Sequence, residues 1–504
     1  ELILNLYNKL GINFVKKLRG IFSFVIFSKK DDKIFMVRDR FGVKPLFYKK
    51  NSKNVYFSSE IKSLLAMGIK KRLNLPVLKS YLQESKLCHN YKTFFKDIVS
   101  LEPATIYEIS KVGQRKIKYW NLRKKDFLNY NSNEINELIS DSIKSNLEAD
   151  TEVGVALSSG IDSSIITHEL LSLKRKVKAF SFGYNEKKYS EIKDIDNLFF
   201  KDKKLIRKNK ILKTDDFLTE IKKAIYYFET PLGGLGTLSA FNLFGEVKKS
   251  KIKVLLSGEG GDELFGGYKY YFLTWLKTLY NSNQLSKISS EVKKFNLNQK
   301  EKLDKQTLDI FFKDKKKMFA PDGSSIFSNQ NYLTKEFDKI NSSKSITIEN
   351  QKNSLTNEIF KDIFWRKLPK LLHFQDRASM ANSVESRVPF LDHILWNKVF
   401  TTNPKFLFNN GYTKEILRTN FRKRFNVYPN SKKYVATPQR EWLKNDLKDA
   451  IIDQIKNGKL VKENIINFKK WYKDYQYYSA SKNLGNSFFV WKVLNAELLL
   501  KEFF

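Results

Sequence analysis

A short apolar segment that leads directly into small polar residues is the feature that most constrains the fold of this chain. Residues 153–157 read Val-Gly-Val-Ala-Leu, and the residues that follow read Ser-Ser-Gly-Ile-Asp-Ser-Ser. The apolar run predicts a buried strand, and the small residues predict a tight loop that opens a helix near Ser163. Backbone N–H groups at such a helix start favour an anion, and small side chains let a phosphate approach closely.

Taken alone, this loop allows two interpretations. In the first, serine hydroxyls and backbone N–H groups surround a phosphate, and Asp162 holds a Mg²⁺ ion that bridges phosphate oxygens. In the second, Asp162 or Ser163 caps an ordinary helix. The lysine and the spacing of a GxxxxGK loop are absent, so the segment is not a Walker loop.

Strands and helices alternate along the middle of the chain, which predicts a parallel α/β sheet with helices on both faces. The predicted elements are a helix at 133–147, strands at 153–157, 177–182 and 252–256, and helical segments before the last strand. The first part of the chain differs, because its short apolar runs predict β-structure. These elements are strands at 21–27, 34–38 and 55–58, a helix at 60–67, and further short strands over 68–125. Residues 280–360 predict surface helices and loops, and the remainder predicts helices.

Composition excludes several classes of protein. The chain has 504 residues, 41% of them hydrophobic, which is enough for two to four domains with large cores. No apolar run approaches the roughly 18 residues of a membrane span. The single cysteine, Cys88, excludes a disulfide scaffold and thiolate zinc sites, and it fits a reducing compartment. We therefore expect a cytoplasmic protein.

The formal net charge of +38 raises the question of nucleic acid. Lysine is spread over the whole chain and is not collected in one stripe, so we interpret the basic residues as solvated surface and expect no nucleic-acid partner. A non-catalytic basic scaffold stays as the alternative from a different class, and steeply salt-dependent nucleic-acid binding would reveal it.

Two further segments carry chemistry. Residues 254–268 read Val-Leu-Leu-Ser-Gly-Glu-Gly-Gly-Asp-Glu-Leu-Phe-Gly-Gly-Tyr, a glycine-rich turn with three carboxylates after a strand. Residues 374–392 read Phe-Gln-Asp-Arg-Ala-Ser-Met-Ala-Asn-Ser-Val-Glu-Ser-Arg-Val-Pro-Phe-Leu-Asp. The first is similar to the SGEGxDExFGGY motif of asparagine synthetases, and the second resembles the DRxSMAxSxExRxPFLD segment of the same family. The loop at 158–164 resembles the SGGxDS motif of the PP-loop ATP pyrophosphatases, with Ser159 in place of a glycine. If that position needs a positive φ, a serine there is modestly strained.

The first part of the chain resembles the glutaminase domain of that family, an N-terminal-nucleophile amidotransferase fold. The resemblance rests on residues 18–24, 38–48 and 57–62. It implies a β-sandwich remnant of a class II glutamine amidotransferase domain over 1–125, and over 126–504 a synthetase domain with a parallel α/β (PP-loop) sheet and a helical C-terminal part. The family's catalytic cysteine lies at the extreme N-terminus, and Cys88 is internal and cannot supply the α-amine. We expect roughly the first hundred residues of that domain to precede Glu1, so that this chain uses ammonia where the complete enzyme takes nitrogen from glutamine.

The resemblance implies an AMP-forming ligase that uses ATP and Mg²⁺. ATP activates aspartate as β-aspartyl-AMP with loss of pyrophosphate, and ammonia then displaces AMP. The implied pyrophosphate cradle is Ser158, Gly160, Ser163 and Ser164, with Asp162 and Asp262 on magnesium. The implied nucleotide pocket is Leu157, Phe182, Ser257 and Gly258. Glu259 matches the family's catalytic acid, and Lys432, or Lys433 as second choice, matches its catalytic lysine.

The identity of the acceptor and the oligomeric state stay open. A relative that amidates another carboxylate, for example on a sugar or a secondary metabolite, is the alternative to an asparagine synthase. The partners that we expect are small molecules: aspartate, ATP, and glutamine or ammonia. The resemblance leaves room for a homodimer, and no residue pattern addresses assembly.

Overall fold

The structure is a computed structural model that describes residues 1–87, 89–122, 131–173, 176–298, 302–313, 331–343, 354–425, 437–480 and 487–504. Within these ranges the strands are β1 (Ser23–Ser28), β2 (Lys33–Arg38), β3 (Phe47–Lys50), β4 (Val55–Ser58), β5 (Val99–Ser100), β6 (Thr105–Ser110), β7 (Gly113–Lys118), β8 (Val153–Ala156), β9 (Val177–Tyr184), β10 (Leu205–Leu212), β11 (Val254–Leu256), β12 (Glu385–Arg387), β13 (Phe408–Asn409) and β14 (Tyr412–Thr413).

The α-helices of the same ranges are α1 (Leu2–Leu10), α2 (Ile61–Ala66), α3 (Leu75–Glu84), α4 (Ser132–Ser145), α5 (Ile161–Leu173), α6 (Ile192–Phe199), α7 (Phe217–Phe228), α8 (Leu235–Lys249), α9 (Gly261–Phe265), α10 (Lys269–Asn281), α11 (Leu285–Asn298), α12 (Lys305–Lys313), α13 (Lys335–Asp338), α14 (Ser354–Lys361), α15 (Leu368–Ala381), α16 (His393–Phe400), α17 (Glu415–Phe425), α18 (Gln439–Lys444), α19 (Lys448–Lys456), α20 (Lys459–Lys462), α21 (Phe468–Ala480) and α22 (Phe488–Phe503).

A five-stranded parallel sheet forms the centre of the molecule, in the order β10-β9-β8-β11-β12. Each neighbouring pair in it is parallel, which confirms the predicted parallel α/β sheet. The strands β8, β9 and β11 correspond to the predicted strands at 153–157, 177–182 and 252–256. All three residues of β11 are buried, as in a sheet that is covered on both faces.

The strand order determines where a site can form. From β8 the chain proceeds outward to β9 and β10, and it then crosses to the other side of β8 to form β11 and β12. The strands β8 and β11 are therefore neighbours whose connections diverge: the chain leaves β8 toward β9, and it leaves β11 toward β12 on the opposite side. Val155 pairs with Leu256, so the loops after the two strands start side by side. In open α/β sheets, ligands bind at this kind of switch point.

The first 120 residues form two antiparallel sheets, β1-β2-β6-β7 and β4-β3-β5. The strands predicted at 21–27 and 34–38 are confirmed, and they form a hairpin in which Phe27 pairs with Ile34 across β1 and β2. The sheets share a core, in which the rings of Tyr48 and Tyr107 lie 5.3 Å apart. This arrangement confirms the predicted β-sandwich. The predicted boundary between residues 125 and 126 lies outside the described residues.

One prediction for this region is wrong, because residues 75–84 form a helix, α3, in place of short strands. Pro76 lies in its first turn, where its missing N–H costs no hydrogen bond. Val77, Leu78, Tyr81 and Leu82 are buried and recur at helical spacing on one face. The apolar residues of this segment thus follow a period of 3.6, which a reading as short strands overlooks.

The C-terminal part is helical, as predicted. Its last helix, α22, is buried on nearly all sides and packs its Trp491 and Leu494 into the larger core. Among the described helices, none combines the length and the apolar character needed to cross a membrane.

His373 of α15 lies where the first part of the chain meets the helices, and it provides a test of the packing there. Its Nε2 lies 2.8 Å from the carbonyl oxygen of Phe228, and its ring meets the ring of Phe47 edge-on at 6.3 Å. Burial, reinforced by the charge of Arg377, lowers the pKa of His373 to about 4.

Since the unfolded imidazole has a pKa of about 6.5, the unfolded chain binds more protons between pH 4 and 6.5. We therefore expect the free energy of unfolding to fall as the pH drops from 6.5 to 4, with His373 contributing about 3 kcal/mol. In His373→Gln this part of the pH dependence is lost, whereas the part due to His393, whose pKa is also lowered to about 4, stays. Urea unfolding at several pH values measures the difference. Identical pH dependence in the two proteins would contradict a neutral, buried His373.

Candidate active site

The loop between β8 and α5 is held together by its own serine side chains. The backbone N–H of Ser158 donates to Ser163 Oγ at 3.1 Å, and the N–H of Gly160 donates to Ser158 Oγ at 3.2 Å. The hydroxyls of Ser158 and Ser163 lie 2.9 Å from each other. Together these bonds hold the loop at the start of α5, where the helix dipole favours an anion.

Ser159, which replaces a glycine of the resembled motif, lies in this loop without backbone strain. It is absent from the described residues that have positive φ. Its N–H and its hydroxyl both donate to Glu191 Oε2, at 2.8 and 2.9 Å. The serine therefore fits the loop and attaches it to the start of α6.

The turn after β11 approaches the phosphate loop closely because it contains glycines. A Cβ on Gly261 would lie 2.7 Å from Asp162 Cγ, and a Cβ on Gly267 would lie 1.9 Å from Asp262 Oδ1. Any larger residue at these positions would push the two aspartates out of place. Gly261 and Gly267 are thus explained by close packing around Asp162 and Asp262.

Lys414 joins these two aspartates. Its Nζ lies 2.6 Å from Asp262 Oδ1 and forms a second ion pair with Asp162. The side chain is only 4% exposed and enters from the short segment between β14 and α17. Burial alone would lower the pKa of Lys414, but the two carboxylates outweigh it and raise the pKa above its usual value. Two carboxylates and one ammonium group thus meet directly at this point.

The donor set fits a magnesium ion that is shared with a nucleotide. Asp162 and Asp262 reach the same ammonium nitrogen from neighbouring loops, so their oxygens face a common point. Among the described residues, no cluster of three or more histidine, cysteine or acidic side chains forms a complete metal cage. Mg²⁺ commonly binds through one or two carboxylates and takes its other ligands from water and substrate phosphates. These two aspartates would hold it in that way.

A cavity of about 1010 Å³ opens over the carboxyl ends of β8, β9 and β11. The predicted site residues that line it are Leu157, Ser158, Gly160, Asp162, Ser163, Phe182, Ser257, Gly258, Glu259 and Asp262. Ser164 is placed differently, since it is buried and its hydroxyl donates to the carbonyl of Gly160 at 2.8 Å. Lys432 and Lys433 lie outside the described residues, as does Cys88. Thr437, which follows the lysine segment, lines the cavity.

Ser257 has a property expected of a residue that binds a ligand. It lines the cavity, is only 4% exposed, and its Oγ has no hydrogen-bond partner in the part of the chain that the structure describes. A buried hydroxyl without a partner is costly, and a ligand in the cavity can remove that cost.

The wall of the cavity that is formed by the starts of α8, α18 and α22 contains residues that were not predicted from the sequence. Gln439 accepts a hydrogen bond from the N–H of Leu235 at 2.8 Å and donates to Ser487 Oγ at 3.0 Å. It thereby connects the starts of α8, α18 and α22. Lys414 was missed too, because no local pattern marks one lysine in a chain with 92 lysines and arginines. Gln375 and Arg418 also line the cavity.

Comparison with known proteins supports the earlier resemblance. The asparagine synthase model matches residues 134–501, and the glutamine amidotransferase domain model matches residues 1–120. The glutamine-hydrolysing asparagine synthetase 1 of Bacillus subtilis is 28% identical over 471 residues, which is 90% of this chain and 73% of that protein.

Two other relatives are matched over a smaller share of their own length. The putative glutamine-hydrolysing asparagine synthetase 2 of Methanocaldococcus jannaschii is 34% identical over 286 residues, 53% of each chain. An amidase of Penicillium rubens is 25% identical over 462 residues, 80% of this chain and 66% of that protein. The chain thus spans between half and three quarters of these relatives. Because the asparagine synthase model covers well over half of the chain and its motifs line a single cavity, the chain belongs to the asparagine synthase family.

Proposed function

We propose that this chain catalyses the ATP-dependent amidation of L-aspartate to L-asparagine through β-aspartyl-AMP. The observation that supports the proposal most is the meeting of the phosphate loop after β8 with the acidic turn after β11, both in the wall of one cavity. Their two aspartates share one buried lysine. Such a centre suits a nucleotide whose phosphates leave as pyrophosphate.

In this proposal the nucleotide binds along the carboxyl ends of the strands. Leu157 directly follows β8 and Phe182 lies in the last part of β9, and both offer apolar surface to the base. Ser158, Gly160 and Ser163 surround the phosphates at the start of α5, and Ser257 donates its free hydroxyl. Asp162 and Asp262 would hold Mg²⁺, which would neutralise phosphate charge. Lys414 adds a fixed positive charge beside the two carboxylates.

The first chemical step joins the acceptor to the nucleotide. A β-carboxylate oxygen of aspartate attacks the α-phosphorus of ATP, the bond from that phosphorus to the bridging oxygen breaks, and pyrophosphate leaves. Negative charge grows on the departing group, so groups fixed in place beforehand stabilise the transition state. Lys414 and the backbone N–H groups at the start of α5 are such groups in the described part of the site.

The second step replaces AMP by ammonia. The ammonia nitrogen attacks the carbonyl carbon of the acyl-adenylate, the bond from that carbon to the AMP oxygen breaks, and the nitrogen loses a proton. Glu259 belongs to the acidic turn, lines the cavity and is our candidate to accept this proton.

The catalytic lysine provides a separate prediction. We expect Lys432→Ala to slow acyl-adenylate formation by about 100-fold or more, because a charge on the α-phosphate would lose its partner. Lys433→Ala is the matched control, with the same change one residue away, and should keep near-normal rates. Pyrophosphate release in the presence of aspartate measures both variants. A large loss of pyrophosphate release in Lys433→Ala, with a near-normal rate in Lys432→Ala, would assign the catalytic role to Lys433.

The second candidate is amidation of a different carboxylate, for example on a sugar or a secondary metabolite; one relative, the Penicillium rubens amidase, carries a name that refers to amide chemistry and not to asparagine synthesis. Pyrophosphate release measured with ammonium, ATP, Mg²⁺ and a panel of acceptors separates the two. Release that depends on aspartate supports the first candidate. Release that needs a uronic acid or another acid, and ignores aspartate, supports the second. A homodimer and a cytoplasmic location stay predictions.

A further inference from the structure

Helix α15 faces two parts of the molecule at once. Leu371, Phe374 and Gln375 belong to the wall of the cavity. The next two residues, Asp376 and Arg377, are buried and point toward the first part of the chain. A shift of this helix would therefore change both the wall of the cavity and the contact with the N-terminal sheets.

Side chains of alternating charge form a row on the side of α15 that faces the first part of the chain. Lys44 Nζ lies 3.2 Å from Asp376 Oδ1, and Asp376 Oδ2 lies 2.6 Å from Arg377 NH2. Arg377 NH1 donates to Glu60 Oε1 at 3.1 Å. The row continues through Lys62, whose Nζ is 2.5 Å from Glu60 Oε2. Opposite charges thus alternate over five side chains.

This row crosses between the two regions that the family models match. Lys44, Glu60 and Lys62 belong to the region of 1–120, and Asp376 and Arg377 belong to the region of 134–501. It ends near Glu229 of the second region, whose carboxylate accepts from the N–H groups of Ile61 and Lys62 at 2.8 and 2.6 Å. The start of α2 is thereby held by the synthetase region, with Glu60 immediately before it.

We propose that Glu60 is a positioning residue for the amidation: through Arg377 it sets where α15 places Phe374 and Gln375 in the cavity wall. The inference rests on the proposed function: the nucleotide is assigned to the loops after β8, β9 and β11, which leaves the wall formed by α15 to the acceptor. Because Glu60 and Arg377 differ in exposure, Glu60 is the better position for a substitution that tests this inference. Glu60 is 33% exposed and Arg377 only 4%, so loss of the Glu60 charge disturbs a buried guanidinium without removing core volume.

The test compares Glu60→Gln with Glu108→Gln in the full chain. Glu108 pairs with Lys33 and Arg115 inside the N-terminal sheets and makes these contacts away from α15, so it is a matched control for the loss of one carboxylate. In Glu60→Gln we expect kcat/KM for aspartate to fall about tenfold while KM for ATP stays within about twofold, since small misplacements of reactants are costly. We also expect faster hydrogen exchange of the α15 amides than in the control. Glu60→Asp, which keeps the charge, should recover part of both.

The outcomes separate this inference from the proposed function. Equal α15 exchange and equal kinetics in Glu60→Gln and Glu108→Gln would overturn the positioning role. If the unmodified chain releases no pyrophosphate with aspartate, the acceptor assignment falls, and the exchange comparison still decides whether Glu60 positions α15. If Glu60→Gln does not fold, Glu60→Ala takes its place, and a Glu60→Ala protein whose α15 exchange and kinetics equal those of Glu108→Gln would count against the role.

Discussion

Asp162→Asn and Asp262→Asn are each expected to abolish ATP-dependent pyrophosphate release while the protein stays folded. Both side chains reach the same buried ammonium group of Lys414, and both lie in the wall of the cavity. An asparagine keeps the size of the side chain but supplies no charge, so it would hold Mg²⁺ and the phosphates weakly. A loss of about 100-fold or more in kcat is the scale for removing such electrostatic stabilisation.

Asp141→Asn is the matched control for this experiment. Asp141 forms a 2.6 Å ion pair with Arg19 at an exposed position, so its replacement removes the same charge outside the cavity. Pyrophosphate release and thermal unfolding are measured for all three variants. Near-normal release from either cavity variant would remove that aspartate from the proposed centre.

Lys414→Met is expected to reduce both catalysis and stability. The methionine fills similar space, but it leaves Asp162 and Asp262 facing each other without their shared cation. Loss of one partner from a buried charged group costs about 3–5 kcal/mol. Pyrophosphate release should fall by about two orders of magnitude, because the fixed positive charge near the phosphates is gone.

Magnesium provides a readout that does not depend on turnover. In Lys414→Met we expect MgCl₂ to raise the melting temperature more than it does in the unmodified protein, because the two carboxylates no longer have an ammonium group to balance their charge and bind a cation more tightly. Lys398→Met is the control, since Lys398 pairs with Glu134 away from the cavity. A Lys414→Met protein with unchanged stability and turnover would contradict the three-charge centre.

The loops of the site could be predicted from the sequence because their chemistry is local. Ser158, Gly160 and Asp162 follow a recognisable strand, and Ser257, Glu259 and Asp262 follow another. That the two loops lie side by side depends on β11 pairing with β8, which follows from the crossover of the chain. Strand alternation predicts a parallel sheet but leaves the order of its strands open.

Residues that act through distant contacts could not be predicted in this way. Lys414 reaches Asp162 across 252 positions of the sequence, and Gln439 reaches the N–H of Leu235 across 204. Neither residue has neighbours that mark it, since its role comes from the packing of separate helices. The helix at 75–84 is a different case, because the helical period of Val77, Leu78, Tyr81 and Leu82 is present in the sequence and was overlooked in the prediction of short strands.

The ratio of asparagine formed to pyrophosphate released tests the central claim most directly. The chain is supplied with ammonium, ATP and Mg²⁺, with and without L-aspartate, and both products are quantified. The account predicts that pyrophosphate appears only with aspartate and that one asparagine forms for each pyrophosphate. Pyrophosphate release that is the same without aspartate, or release without asparagine, would contradict it.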